Sequence, residues 1–247
     1  MTAPLDRGAR LDRGAPLAGE GLRSANPGGL RQRTILVVAK EPVPGRVKTR
    51  LTPPCTPDQA AGIAAAAIAD TLAAVAAAPA RRRVVVLDGR PGNWLPAGFD
   101  VVPQSGGGLD ERIAAAFAGV DGPVLLVGMD TPQVTPELLA VDPGRDAWFG
   151  PAGDGGFWAL GLAEADPELV RGVPMSQEDT GARQLARLRD VGLDVGLMPE
   201  LLDVDTAADA DAVAALAPGT SFAAAWRAVR TAPVGGTRSP VAPTAAR

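Results

Sequence analysis

Three short apolar runs, 34–39 (Thr-Ile-Leu-Val-Val-Ala), 84–87 (Val-Val-Val-Leu) and 124–127 (Val-Leu-Leu-Val), are separated by stretches of helical periodicity. This alternation is the feature that most restricts the fold. A strand that is apolar at every position must be buried on both faces, so helices have to cover the sheet from both sides. The expected architecture is α/β: a mostly parallel, Rossmann-like sheet with helices on both faces.

Local signals place the remaining elements. Thr56, Pro57 and Gln59 form an N-cap, a first-turn proline and a capping-box partner for an Ala-rich helix whose core stripe is Ile63, Ala67, Leu72 and Val75. A short strand is expected at 101–102, a helix at 109–118, and a short helix starting at Thr135-Pro136. Strands at 148–149 and 157–160 flank a turn at 153–156. Residues 176–179 are expected to cap a helix running to about Asp190, with Gly192 beyond its end. A strand at 193–197 follows, and Thr206 with Asp209 caps a late helix. Residues 1–33 are rich in Gly, Arg and Pro and repeat Leu-Asp-Arg-Gly-Ala. They are read as a disordered tail, as are 231–247, which leaves one domain at 34–230.

In such sheets ligands bind beyond the carboxyl ends of the strands. Three polar segments follow strand ends. The first is the loop after the opening strand, which contains the only two lysines among the 24 basic residues, Lys40 and Lys48. Lysine is a compact, mobile charge and arginine a planar fork, so a lysine kept in an arginine-biased chain points to a role for the ammonium itself. Lys40, Gly45, Arg46, Lys48 and Arg50 are the expected phosphate-binding group. An extended 46–50 segment would set Arg46, Lys48 and Arg50 on one face; the competing reading is a solvated basic loop. The second is Asp130, at the tip of the run 124–127, with an Asx-turn or N-cap before Pro132 as the alternative. The third is Asp203-Val204-Asp205, whose two carboxylates share one side of a short extended segment. Asp130, Asp203 and Asp205 are oxygen donors of the kind Mg²⁺ or Mn²⁺ prefers.

Two further clusters are weaker. Asp154-Gly155-Gly156 precedes Trp158, which offers a ring for stacking on a sugar or base, or simply closes a hairpin over core aromatics. Gln104 and Arg112 flank a glycine run that opens a helix.

The absence of histidine excludes Ser-His-Asp and Cys-His catalysis and His-ligated metals, and a single cysteine excludes an internal disulfide. A net charge of −4 argues against nucleic acid as partner. No unbroken apolar run approaches the roughly 20 residues of a bilayer crossing, so no membrane span is expected. With no apolar leader at the N-terminus, the cytoplasm is the default location.

The segments Ala39-Lys40-x-Pro42-x-Pro44-Gly45-Arg46-Val47-Lys48-Thr49-Arg50-Leu51, Gly128-x-Asp130-x-Pro132, Gly150-Pro151-Ala152-x-Asp154-Gly155-Gly156 and Asp203-Val204-Asp205-Thr206 occur in that order. Together they resemble a bacterial glycosyltransferase-like family of the GT-A, nucleotide-diphospho-sugar transferase fold. The resemblance runs from about Thr34 to Ala217. It implies a nucleotide site on the Lys40–Arg50 loop, a metal at Asp130 helped by Asp205, and an acceptor or sugar pocket near Asp154 to Trp158 that extends to Ser176. The same fold and a similar basic loop occur in nucleotidyltransferases that activate molybdopterin or phospholactate-type acids. The chain departs from the family pattern in its glycine loop at 105–108, in Met175 where tryptophan is usual, and in a single Asp at 130 rather than Asp-x-Asp. Three functions follow as alternatives. They are glycosyl transfer from a nucleotide-diphospho-sugar to an unknown acceptor, nucleotidyl transfer from a triphosphate with release of pyrophosphate, and nucleotide binding without catalysis.

Overall fold

The computed structural model describes residues 32–231. The expected tails therefore fall outside it, except for their innermost residues. Arg33, assigned to the N-terminal tail above, is buried against the fold, and its guanidinium donates to the Leu139 carbonyl.

Seven strands form one sheet in the order β3-β2-β1-β4-β6-β5-β7. They are β1 (Thr34–Lys40), β2 (Arg82–Asp88), β3 (Asp100–Pro103), β4 (Val124–Gly128), β5 (Ala147–Pro151), β6 (Phe157–Leu162) and β7 (Val195–Leu197). β1 pairs in parallel with both β2 and β4, and β2 with β3. β6 runs antiparallel to both its neighbours, so the β5–β6 pair is the expected hairpin. This is the α/β, mostly parallel, GT-A-like architecture.

The helices are α1 (Pro57–Ala77), α2 (Leu109–Ala118), α3 (Thr180–Asp190), α4 (Ala207–Leu216) and α5 (Ser221–Thr231). Strand residues alternate between two cores, as period-2 geometry demands. Ile35, Val37, Val85, Leu87, Leu125 and Val127 share one cluster with Ile68, Leu72 and Val75 of α1. Leu36, Val84, Val86, Val124 and Leu126 share the other with Ile113 and Phe117 of α2 and Leu188 of α3. Each fully buried aliphatic side chain contributes about 1.5–3 kcal/mol. A third cluster lies behind α1, where Ile63 and Ala67 meet Val213 of α4 and Phe222 and Trp226 of α5.

Both expected capping boxes form, at Thr56/Gln59 and at Thr206/Asp209. At the other end of α1, the Arg83 guanidinium donates to the Val75 and Ala78 carbonyls at 2.9 and 2.7 Å, placing a cation where the helix leaves acceptors exposed.

Three expectations are corrected, and one helix was not anticipated. Thr135-Pro136 opens a single turn rather than a helix. Ser176 does not cap α3. Thr180 closes the preceding turn instead, its hydroxyl accepting from the Gln177 N–H and donating to the Pro174 carbonyl. α1 is long and apolar enough to cross a membrane by length and composition, because its many alanines raise hydropathy without forming a visible aliphatic run; more than half of it is buried within the fold. α5 had no counterpart in the sequence reading.

Candidate active site

The carboxyl ends of β1, β2 and β4 open on a cleft of about 880 Å³. Its floor carries Lys40, Lys48 and Asp130, and its far wall is built from the β5–β6 turn, the Met175–Glu178 approach to α3, and the 203–205 segment.

The basic loop is folded differently from the extended form expected above. Gly45 has φ +75°, Lys48 is left-handed at φ 48° and ψ 37°, and Thr49–Leu51 make one turn of 3-10 helix. The period-2 arrangement is lost. Lys48 turns inward while Arg46 stays exposed, away from the cleft lining, as does Gly45. A lysine in the left-handed region is uncommon and costs about 1 kcal/mol. What holds it there is visible. Its side chain is only 7% exposed, its Nζ lies 2.5 Å from Asp130 Oδ1, and the same ammonium donates to the Val204 carbonyl.

The 203–205 segment is tied to the tip of β4, since the Val204 N–H donates to the Asp130 carbonyl at 3.0 Å. Val204 is fully buried and turns the flanking carboxylates outward. The Asp205 carboxylate accepts from Arg50. Asp203 instead faces other carboxylates. Its own burial and the charges of Asp154 and Asp130 push its pKa up to about 6, against the opposing effect of Lys48. A carboxyl whose folded pKa exceeds its unfolded value loses stabilisation as pH rises between the two, here from about 4 to 6. Asp203→Asn, in EDTA, is therefore expected to melt above the parent by about 2–4 °C at pH 7.5, with the gain gone near pH 4. A constant gain across that range would show that the acidic crowding is not its source.

The oxygen donors suit Mg²⁺ or Mn²⁺. Among the described residues no three acidic side chains converge as a ready-made cage. Mg²⁺ does not need one, because it takes one or two carboxylates and completes its shell with water and substrate phosphate. Asp130 and Asp203 are the two carboxylates that would suit such a site: Asp130 Oδ1 is buried with no directed hydrogen bond, and Asp203 lies in a predominantly negative environment that Lys48 only partly offsets.

Other expected residues prove structural. Both amide hydrogens of Gln104 are taken, by the Ala39 carbonyl at 2.8 Å and the Val86 carbonyl at 3.1 Å, and its oxygen accepts from Arg112 at 3.1 Å. Gln104 thus ties β1 to β2 and holds Arg112 on the cleft wall rather than offering itself to a ligand. Trp158 is 2% exposed and its indole N–H donates to the Pro199 carbonyl, so the ring belongs to the core beneath the wall, with no face free for stacking. Asp154 lines the cleft, and its Oδ1 accepts from the Gly156 N–H at 2.8 Å, bracing the turn and leaving its other oxygen outside that bond. Gly155, at φ +86°, passes so near the Glu178 carbonyl that a Cβ would lie 2.0 Å from it. Its role is close packing of the turn onto α3, off the lining itself. Ser176 is exposed on the cleft rim with φ 59°. Lys40 pairs loosely with Asp88, at 3.7 Å. Asp88 was overlooked in the sequence, although it ends a buried strand just as Asp130 does.

Fold and cleft together fit one class: a GT-A-like α/β domain with the nucleotide-diphospho-sugar transferase fold, whose candidate site is the cleft at the carboxyl rim of the sheet. Within that class, residues 63–177 match the family described as "Uncharacterized protein conserved in bacteria (DUF2064)". The basic loop and the 203–205 segment lie outside the matched stretch. A "putative nucleotide-diphospho-sugar transferase" from Desulfovibrio desulfuricans G20 superposes with a TM-score of 0.71 at 26% identity, covering 80% of this chain and 96% of that one. Rv0371c from Mycobacterium tuberculosis H37Rv aligns at 21% identity and TM-score 0.48, over 74% of this chain and 96% of its own. The 2-C-methyl-D-erythritol 4-phosphate cytidylyltransferase of Thermus thermophilus aligns at 14% and 0.46, over 81% and 100%. No curated protein is significantly similar in sequence.

Proposed function

We propose that this chain is a metal-dependent transferase that takes a nucleotide-diphospho-sugar and passes its glycosyl group to an acceptor bound beside Asp154. The observation that carries this reading is the meeting of Lys48, Asp130 and Asp203 at one end of the sheet, in a cleft of about 880 Å³. That volume is within the roughly 300–1,000 Å³ of ligand sites. The similarity to the Desulfovibrio protein supports the same class.

Lys48 and Arg50 neutralise the diphosphate, with Arg112 and Lys40 at the sides of the cleft. Asp130 and Asp203 would hold Mg²⁺ or Mn²⁺, which when bound supplies Lewis-acid stabilisation of the charge growing on the leaving diphosphate. Asp154 orients the acceptor hydroxyl and accepts its proton on the carboxylate oxygen not used by Gly156.

A melting-temperature screen of nucleotides and nucleotide sugars, with and without Mn²⁺ or Mg²⁺, tests this. A ligand at 100 times its Kd stabilises by about 2.7 kcal/mol, so a shift of about 5–10 °C is expected for a nucleotide-diphospho-sugar with metal present and little without. Absence of any metal-dependent shift would sink the proposal. Pyrophosphate release from a triphosphate and a phosphorylated acceptor would replace glycosyl with nucleotidyl transfer.

A further inference from the structure

Two of the three metal-type carboxylates are already neutralised, and both by the same loop. Lys48 lies 2.5 Å from Asp130, and Arg50 is paired with Asp205. The groups expected to grip phosphate and those expected to grip metal are therefore each other's partners. They are held so by two further contacts: Lys48 donates to the Val204 carbonyl, and the Val204 N–H donates to the Asp130 carbonyl at 3.0 Å. The residue that makes the inner pair is in the left-handed conformation and nearly fully buried, so this is a built arrangement and not a solvated side chain meeting a passing charge.

Resting on the functional reading above, we propose that Lys48, through its contact with Asp130, holds the electrostatic place a metal would take, and that a diphosphate and a divalent cation displace this pairing together. A cation approaching Asp130 alone meets the Lys48 ammonium at close range. A diphosphate approaching alone finds Lys48 and Arg50 engaged by carboxylates. When both arrive, four charges exchange partners: ammonium and guanidinium go to phosphate, carboxylate goes to metal. The outcome is positive coupling between metal and diphosphate, reciprocal by thermodynamic necessity. The ligand class selected is the preformed metal–diphosphate complex, in preference to free metal or to uncomplexed nucleotide. Lys48 is, on this view, a specificity-determining residue as well as a phosphate ligand.

The test is Mn²⁺ alone, with binding read from the electron paramagnetic resonance signal of the free ion, on the full chain and on Lys48→Met and Arg50→Met. Removing the competing cation is expected to tighten Mn²⁺ binding about tenfold or more in Lys48→Met, and less in Arg50→Met, whose pair is more exposed. Damage to the fold lowers metal affinity, so a gain cannot be mistaken for a structural effect. Arg50→Met, changed on the surface, keeps the test open should Lys48→Met fold poorly. Mn²⁺ retained by the parent protein in equilibrium dialysis at least tenfold more tightly with inorganic pyrophosphate than without, after correction for the Mn²⁺–pyrophosphate complex formed in protein-free buffer, supports the coupling. Unchanged or weaker Mn²⁺ binding in both variants, with metal-dependent nucleotide binding intact in the parent, overturns this inference alone. Loss of nucleotide binding under every metal condition overturns the functional reading with it.

Discussion

Asp130→Asn is expected to remove the metal dependence of nucleotide binding and to lower turnover at least about 100-fold, the scale of losing one aimed electrostatic group in a transferase site. The side chain sits beyond the tip of β4 between Lys48 and the Asp203 carboxylate, so the amide changes one charge in a place where both neighbours respond to it. The ligand-free protein is expected to lose stability too. Lys48 would keep the Val204 carbonyl and an amide oxygen as acceptors but lose its nearest counter-charge, and a largely buried cation so weakened in its pairing is destabilising. The double variant Asp130→Asn/Lys48→Met separates the two consequences: melting temperature recovers toward the parent, while metal-dependent binding does not return. Nucleotide affinity in Mg²⁺ equal to that of the parent would show that Asp130 is a structural partner of Lys48 and nothing more.

Much of this arrangement is legible in the chain. Strands apolar at every position have to be sandwiched, and charges after strand ends face the rim, so Lys40, Lys48, Asp130, Asp203 and Asp205 come to one cleft as the pattern leads one to expect, while Asp154 is tied to it only by the family resemblance. What the pattern does not carry is backbone handedness in loops. Lys48 enters the left-handed region for the sake of tertiary contacts with residues more than 80 positions away, and no local rule places a lysine there. Without that turn Arg46 is equivalent to Lys48; with it, one is buried at the site and the other is in solvent. Gln104 and Trp158 fail for a related reason. A polar or aromatic side chain beside a glycine loop reads as a ligand until its hydrogen bonds are counted, and both spend theirs on backbone carbonyls.

Trp226→Ala is expected to cost about 3–5 kcal/mol of folding stability and to lower the melting temperature by about 6–20 °C. The indole is 2% exposed, and its N–H donates to Asp211 Oδ1 at 2.8 Å. Truncation thus opens a cavity and strands a hydrogen-bond partner together. The larger interest is what shares that cluster. Leu51, which ends the basic loop, and Val204, which separates Asp203 from Asp205, are both fully buried in the same group as Trp226 and Phe222. One apolar cluster behind α1 therefore anchors the loop that carries the cations and the segment that carries the carboxylates. Their alignment across the cleft depends on α5, which touches no part of the cleft. Trp226→Ala should accordingly weaken metal-dependent nucleotide binding several-fold even at temperatures where the variant is fully folded, whereas Trp226→Phe, keeping most of the volume, should restore binding before it restores all of the stability. Binding unchanged in a clearly destabilised Trp226→Ala protein would mean that the two segments hold their alignment through the Lys48–Asp130 and Val204 contacts alone. That outcome would leave the cluster as a source of stability and remove it from the working of the site.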